Sequence, residues 1–171
     1  EFFQPFTQNS FPIHYHKNED AKTRSILLVG GMSFGDSLFV LVNHWPSRRG
    51  GKEETAKKRL AASQRLKELT DSLFEKNNKY KIVVMGDFND EPSDYSIKRL
   101  TNLKSKEKHL QLVNPFAELD KLKQGTIKYK KDWDLFDQIL RSENILEAKK
   151  HAYLKNSASI FHPDWMHYQD D

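Results

Sequence analysis

The feature of this sequence that most constrains its fold is a short apolar run that ends abruptly in polar residues. Residues 82–90 read Ile-Val-Val-Met-Gly-Asp-Phe-Asn-Asp. The continuous apolar part is typical of a strand that is covered on both faces. Alternation along an extended chain would place Asp87 and Asn89 on one side and turn Phe88 into the core. The run therefore predicts a buried strand that presents a carboxylate and an amide together at its end.

A carboxylate beside a neutral amide suits a phosphate centre. The carboxylate can orient a water or face a cation, and the amide can donate to a non-bridging oxygen. In a plainer interpretation, Asp87 and Asn89 form an Asx-type turn and only satisfy backbone donors. This segment alone leaves both interpretations open.

A second apolar run also leads into polar residues. Residues 37–49 read Ser-Leu-Phe-Val-Leu-Val-Asn-His-Trp-Pro-Ser-Arg-Arg. A single histidine at the end of a strand is more often structural than functional. His44, however, is followed within five residues by Arg48 and Arg49. This combination favours proton transfer close to a phosphate.

Together, the two segments resemble the endonuclease/exonuclease/phosphatase superfamily, the DNase I-like metal-dependent phosphoesterases. Residues 86–89 match its Gly-Asp-Phe-Asn signature, and residues 43–51 look like the version found in a group of bacterial members. Residues 133–140, Trp-Asp-Leu-Phe-Asp-Gln-Ile-Leu, resemble the family's strand that carries an aspartate before an apolar pair. The order and spacing of the three segments agree with the family, and the resemblance covers roughly residues 24–142.

The resemblance implies an α/β (α+β) fold, part of a DNase I-like four-layer α/β/β/α sandwich. This chain would form mainly one mixed β-sheet of the sandwich and the helices that flank it. The family's domain is longer than these 171 residues. Its first half supplies an asparagine and a metal-binding glutamate, and its end supplies a Ser-Asp-His run, which this chain lacks. We therefore expect residues 1–171 to be a single domain, the C-terminal half of the family domain truncated at both ends. Its partner would be the missing N-terminal half, and the chain alone would lack a complete active site.

The resemblance also implies a role for each polar residue. Asp87 would orient or deprotonate the attacking water within reach of a divalent cation, and Asn89 would hold the phosphate. Both look like partial metal ligands, because the principal glutamate ligand is absent. His44 would donate a hydrogen bond or a proton to the scissile phosphate, and Asp137 would hold the second catalytic histidine. The residues expected to contact the substrate phosphate are Asn43, Ser47, Arg48 and Arg49.

The strand around Asp137 carries a carboxylate between apolar neighbours. Leu135, Asp137 and Ile139 would share one face, and burial of an unpaired charge there is costly. The alternative is an edge-strand aspartate that points at solvent. Gln138 stands where the family often has an aromatic residue, and Leu135 where it often has arginine. We expect these two departures to affect strand packing or substrate contact more than the chemistry.

The remaining pattern predicts alternating strands and helices. Residues 53–76 show apolar side chains at three- and four-residue steps, which is typical of an amphipathic helix. Residues 24–29 and 38–43 predict a hairpin, with Gly30-Gly31 and Gly35-Asp36 flanking its turn. The other predicted elements are strands at 80–85 and 134–141, a helix at 93–101 capped by Ser93, and a short helix near 115–122.

Composition narrows the class of protein and of metal site. With 37% apolar and 30% charged residues the chain is typical of a soluble globular domain, and it has no cysteine. No window approaches the roughly 20 apolar residues that span a bilayer. Carboxylate and amide oxygens without thiolates favour Mg²⁺ or Mn²⁺ over zinc as the cofactor of the complete protein.

The positive charge of the chain is concentrated after His44. The net charge is +4, and residues 48–68 contain eight basic and three acidic side chains. A basic rim beside a phosphoesterase site attracts polyanionic substrates. A solvated helix face is the favoured interpretation for Lys57, Lys58 and Arg65, and phosphate contact is favoured for Arg48 and Arg49.

Three functions are compatible with this sequence. The favoured one is a metal-dependent phosphoesterase that hydrolyses phosphodiester bonds, as a nuclease does. The alternatives are a phosphomonoesterase on a small-molecule, sugar or lipid phosphate, and a non-catalytic module that binds nucleic acid. The fold does not choose among them. The basic stretch favours the first.

Overall fold

The computed structural model describes residues 2–15, 23–101, 111–147, 153–163 and 165. Its centre is a six-stranded mixed sheet with the strand order β1-β2-β3-β4-β8-β5. These strands are β1 (Gln4–Phe11), β2 (Ile26–Ser33), β3 (Asp36–His44), β4 (Lys81–Asp87), β5 (Leu112–Val113) and β8 (Asp137–Ser142). A separate two-stranded ribbon is formed by β6 (Ile127–Tyr129) and β7 (Asp132–Asp134), which directly precede β8 in the chain.

One long helix makes the crossover between the two central strands. β3 and β4 are parallel, so the chain has to return along the sheet between them, and α1 (Lys52–Lys76) provides that return. Glu53 and Glu54 in its first turn and Lys76 in its last complement the helix dipole. The other helices are α2 (Tyr95–Thr101), α3 (Ala117–Lys121) and a short 3₁₀ helix (Glu143–Glu147). Within the described ranges, none of the helices is long and apolar enough to cross a bilayer.

The two faces of the sheet differ in how well they are covered. On the face that packs against α1 and α2, the row Leu41, Val84 and Leu140 pairs across three strands and is fully buried. We call this the helix-packed face. On the other side, the row Val42, Met85 and Ile139 pairs in the same way but is 39%, 37% and 44% exposed. We call this the open face. The expectation that β4 is covered on both sides is therefore wrong for the part of the chain described.

The hairpin forms as predicted, and its turn is shorter than the segment between the two glycine pairs. Gly30 and Gly31 are inside β2, and the turn is at Phe34 and Gly35. A Cβ atom on Gly30 would lie 2.6 Å from the Phe39 ring, so this glycine makes room for the core rather than for a turn.

Two other boundaries differ from the prediction. The predicted strand at 134–141 is divided, because Leu135 and Phe136 separate β7 from β8. α2 begins at Tyr95, and Asp94 instead of Ser93 precedes it, with its carbonyl accepting hydrogen bonds from the first turn. The long helix at 53–76 is confirmed to within one residue.

Candidate active site

Three polar residues form a row at the edge of the open face. Cα pairing aligns His44 on β3 with Asp87 on β4, and Asp87 with Asp137 on β8. Side chains alternate along each strand, so this row continues the exposed apolar row of Val42, Met85 and Ile139. The predicted histidine and the two predicted aspartates therefore lie on adjacent strands and on one face.

His44 and Asp87 are close enough to interact. His44 Nε2 lies 3.6 Å from Asp87 Oδ2, and the two side chains are 45% and 32% exposed. The second oxygen, Asp87 Oδ1, accepts a hydrogen bond of 2.8 Å from the backbone N–H of Asn89. The carboxylate is thus oriented by the backbone on one side while it remains accessible on the other.

Gly86 allows the two strand ends to approach each other. Its φ is +135°, and a Cβ atom there would overlap the carbonyl oxygen of Asn43. Any other residue would push β3 and β4 apart just where His44 and Asp87 meet. The glycine of the signature therefore has a packing reason that the sequence alone does not show.

Asn89 does not continue the alternation of the strand. β4 ends at Asp87, and Asn89 has a φ of +50° in a turn, with its Nδ2 donating to the carbonyl of Trp45 at 2.9 Å. Its side chain is 8% exposed. The Asx-type turn is therefore present, and the strand alternation that was expected to place Asn89 on the same side as Asp87 does not extend to Asn89. Phe88 is buried as expected, edge-on to Trp45 with ring centroids 4.9 Å apart.

Four residues were expected to contact phosphate. The first of them, Asn43, is instead hydrogen-bonded inside the protein. It is buried on the helix-packed face, donates to the Leu41 carbonyl and accepts from the Trp45 indole N–H. Strand alternation explains this, because His44 occupies the open face and its neighbour has to point the other way. Ser47 and Arg49 are exposed, and their contact with phosphate stays a prediction.

Arg48 is likewise engaged in contacts within the protein. Its Nε donates to the Asn89 carbonyl at 2.9 Å, and its Nη2 donates to Asp94 at 2.7 Å and to Asp90 at 3.3 Å. The guanidinium lies over the Phe136 ring, 4.5 Å from its centroid. With these donors engaged inside the protein, the geometry argues against direct phosphate contact by Arg48.

A buried ion pair packs against the turn at residues 87–90, which follows β4. Arg59 is fully buried on α1, with its Nε 2.6 Å from Asp90 Oδ1, and Asp90 Oδ2 accepts from the Ser96 hydroxyl at 2.6 Å. Sequence reasoning did not select Arg59 or Asp90. The available signal was that Arg59 occupies the same stripe of α1 as Ala62 and Leu66, where an unpaired charge would be costly.

Gln138 supports the turn from the other side. It is buried, its Nε2 donates to the Asp90 and Leu135 carbonyls, and its Oε1 accepts from Asn114. Gln138 therefore takes part in the local packing of the turn, and the effect of its departure from an aromatic residue stays a prediction.

Asp137 is exposed at the start of β8. Leu135 is buried in the break before the strand while Asp137 and Ile139 are exposed, so the three residues do not share one face. The backbone N–H of Asp137 donates to the Thr126 hydroxyl at 3.1 Å. Beside it is a cavity of about 480 Å³, whose walls include Met85, Trp133, Ile139 and His162. Because Asp137 is exposed, its carboxylate does not carry the free-energy cost that burial of an unpaired charge would have.

Two acidic residues that follow the turn have opposite pKa shifts. Burial, reinforced by the charge of Asp94, raises the pKa of Glu91. Burial also acts to raise the pKa of Asp94, but hydrogen bonds from Lys52 and from the Glu91 backbone N–H outweigh it. The pKa of Asp94 is therefore lowered, with further help from the charges of Lys52 and Arg48.

The described part of the chain contains no group of three or more histidine, aspartate or glutamate side chains placed to hold a metal ion. Asp87 and its neighbours therefore do not by themselves fit a divalent cation.

Comparison with known proteins identifies the family. The model of the Endonuclease/Exonuclease/phosphatase family matches residues 1–171. The chain belongs to this family. The resemblance carried by the three sequence segments is thereby confirmed. A search of the curated proteins found no match.

Solved structures show the shared fold. A truncated TDP2 from Caenorhabditis elegans is 13% identical with a TM-score of 0.59, over 83% of this chain and 54% of that one. The human Nocturnin catalytic domain with bound sulfate is 17% identical with a TM-score of 0.58, over 83% and 49%. A functionally unknown conserved protein from Enterococcus faecalis V583 is 16% identical with a TM-score of 0.54, over 81% and 54%.

These likenesses confirm the predicted fold class, a mixed α/β fold with a sheet flanked by helices. The chain spans about half the length of the solved structures it matches. Membership of the family supports a hydrolase of phosphate esters.

Proposed function

We propose that this chain is the C-terminal portion of a metal-dependent phosphoesterase that cleaves phosphodiester bonds. The observation that carries the proposal is the row of His44, Asp87 and Asp137 on three adjacent strands of one face. Family membership supplies the reaction class, and the row supplies side chains of the required kinds in one place.

The geometry of the row supports a division of labour. Asp87 has one oxygen fixed by the Asn89 N–H and the other accessible, which suits a carboxylate that orients a water for attack on phosphorus. His44, exposed beside it, can donate a hydrogen bond to a phosphoryl oxygen as negative charge develops there. Asn89 would act by donating the N–H that orients Asp87, and its side chain would reach phosphate only if it left Trp45.

The open face supports the proposal that the site is completed by more of the family domain. Val42, Met85 and Ile139 expose an apolar row directly below the polar one. A second sheet packed on this face would bury that row and bring further side chains to its edge. Such a sheet would also have to supply the principal carboxylate ligand for Mg²⁺ or Mn²⁺ and the histidine that Asp137 is expected to hold.

Nucleic acid is the proposed substrate class because of the exposed positive charge near the row. Ser47 and Arg49 follow His44 and are exposed. Arg49 is the better candidate for phosphate contact than the inward-pointing Arg48. Replacing Arg49 by Gln should weaken the salt dependence of substrate binding, by about one unit in the log–log slope or less.

The test is hydrolysis of bis-p-nitrophenyl phosphate and p-nitrophenyl phosphate with Mg²⁺ or Mn²⁺ by the full-length protein that contains this chain. We expect turnover of the diester, and a loss of about 10²- to 10⁴-fold in kcat for Asp87→Asn or His44→Asn. Asp36→Asn, at the opposite end of β3, and His14→Asn, an exposed histidine of the loop after β1, are the matched controls.

Each outcome separates the candidate functions. Turnover of the monoester alone would favour a phosphomonoesterase instead. Oligonucleotide binding without turnover, insensitive to Asp87→Asn, would favour a binding module. Turnover by residues 1–171 alone, near that of the full-length protein, would refute the proposal that the site is incomplete.

A further inference from the structure

We infer that Arg48 is a positioning residue that holds the 87–90 turn in the conformation that orients Asp87. This inference rests on the proposed function of Asp87. It replaces the expectation that Arg48 contacts phosphate. It makes Arg48 a second link between the loops that follow β3 and β4, beside the hydrogen bond from Asn89 to Trp45.

The contacts of Arg48 define this role. Its Nε donates to the carbonyl of Asn89, the residue whose N–H orients Asp87 and whose φ is +50°. The left-handed region is uncommon for a non-glycine residue, although asparagine enters it more readily than most, so contacts around the residue select it here. Arg48 therefore fixes the Asn89 peptide from its carbonyl side while Asp87 accepts from its amide side.

Arg48 is itself held in place by charge and stacking. Its Nη2 lies 2.7 Å from Asp94 and 3.3 Å from Asp90, and its plane lies over Phe136. Asp90 in turn is paired with the fully buried Arg59. The Arg48 side chain is 19% exposed, so these interactions are only weakly screened by solvent.

The chemistry of the side chain explains why arginine is required. A guanidinium presents several N–H donors in a rigid plane and can serve a carbonyl and a carboxylate at once while stacking on a ring. A lysine ammonium can pair with Asp94 but lacks the planar fork that also reaches the Asn89 carbonyl. Arg48→Lys is therefore expected to keep the charge and lose the positioning.

The first measurement is hydrogen exchange of the Asn89 backbone N–H in the full-length protein. In Arg48→Gln and Arg48→Lys we expect this amide to exchange about tenfold faster or more, the factor that corresponds to one lost charge-assisted hydrogen bond. The buried Leu66 amide in α1 should be unchanged, which separates local release of the turn from global destabilisation. Lys58→Gln, which removes an exposed positive charge from α1, is the charge control.

The second measurement is the split between kcat and KM. A misoriented Asp87 should lower kcat by about ten- to a hundredfold in Arg48→Gln, with KM changed by about twofold or less. A direct phosphate contact would instead appear mainly as a higher KM.

The outcomes decide between the explanations. Unchanged exchange at Asn89, wild-type behaviour of Arg48→Lys, or faster exchange without loss of kcat would each overturn the inference. If the wild-type protein hydrolyses no phosphate ester, the proposed function fails, whereas the exchange data still decide whether Arg48 holds the turn.

Discussion

The two faces of the central sheet are made of similar apolar residues, yet they have different surroundings. Leu140 is fully buried beneath the helices, whereas Ile139, the residue before it on β8, is 44% exposed. The same contrast separates Leu41 from Val42 and Val84 from Met85. The helix-packed face is a finished core, and the open face carries the polar row of the candidate site at its edge.

This difference shows that an apolar strand sequence does not by itself tell whether both faces of the strand are covered. A strand that reads as continuously apolar is typical of a sheet covered on both sides. In the described residues β4 has only one of its two covers. The chain spans about half the length of the structures it matches.

The largest expected effect compares neighbouring residues on β8. Leu140→Ala should lower the free energy of unfolding by about 2–5 kcal/mol, because it leaves a cavity in the packed core. Ile139→Ala should cost less than about 1 kcal/mol in this chain, because its side chain is half exposed. Urea denaturation of the two variants measures both values. Equal losses would mean that the open face is already covered.

A smaller effect is expected from crowding at Gly86. This residue lies on the helix-packed side one position before Asp87, and it shares a positive φ with Gly35 in the β2–β3 turn. Gly35 has open space around it, whereas a Cβ atom on Gly86 would meet the Asn43 carbonyl. Gly86→Ala should therefore cost at least about 1 kcal/mol more than Gly35→Ala, because overpacking adds to the backbone strain. Thermal unfolding of the two variants checks this, and equal melting temperatures would contradict it.

The next effect is the pH dependence of the stability contributed by Asp94. The pKa of Asp94 is lowered in the folded protein, so its charged form stabilises the fold above the ordinary value of 3.8. This contribution is lost as the pH falls through the folded pKa. Asp94→Asn should cost about 1 kcal/mol or less at pH 7, and the cost should shrink below about pH 4. Denaturation of wild type and variant between pH 7 and pH 3 measures it, and a cost independent of pH would refute it.

The smallest effect has the opposite sign. The pKa of Glu91 is raised in the folded protein, so its charged form costs stability above that pKa. Glu91→Gln should raise stability at pH 7 by under about 1 kcal/mol, and the gain should fade as the pH falls toward the ordinary value of 4.5. The same titration checks it. A loss of stability at pH 7 would show that the pairing of Glu91 with Arg48 and Lys52 outweighs its burial.

Much of the fold could be predicted from local pattern. The leucine spacing of α1 and the apolar runs of β3 and β4 fixed their type and approximate bounds, because helical and extended periods differ clearly. β6 and β7 were not predicted, since a short exposed ribbon such as Lys128–Tyr129 with Asp132–Trp133 has no alternating apolar face. The candidate row was predicted in part, because His44 and Asp87 were expected to meet and they do. Asn89 was expected on the same side as Asp87 and Arg48 at the phosphate, but their side chains bond to Trp45 and to Asp90 and Asp94.

The sequence by itself determined where strands run into polar residues and which chemistry those residues offer. Only the tertiary structure decided which side chains meet, because register and the choice of covered face depend on elements distant in the chain. His44, Asp87 and Asp137 belong to three separate segments and are aligned only by strand pairing. In the same way, the inward direction of Arg48 follows from carboxylates on a different loop, which no local pattern around residue 48 records.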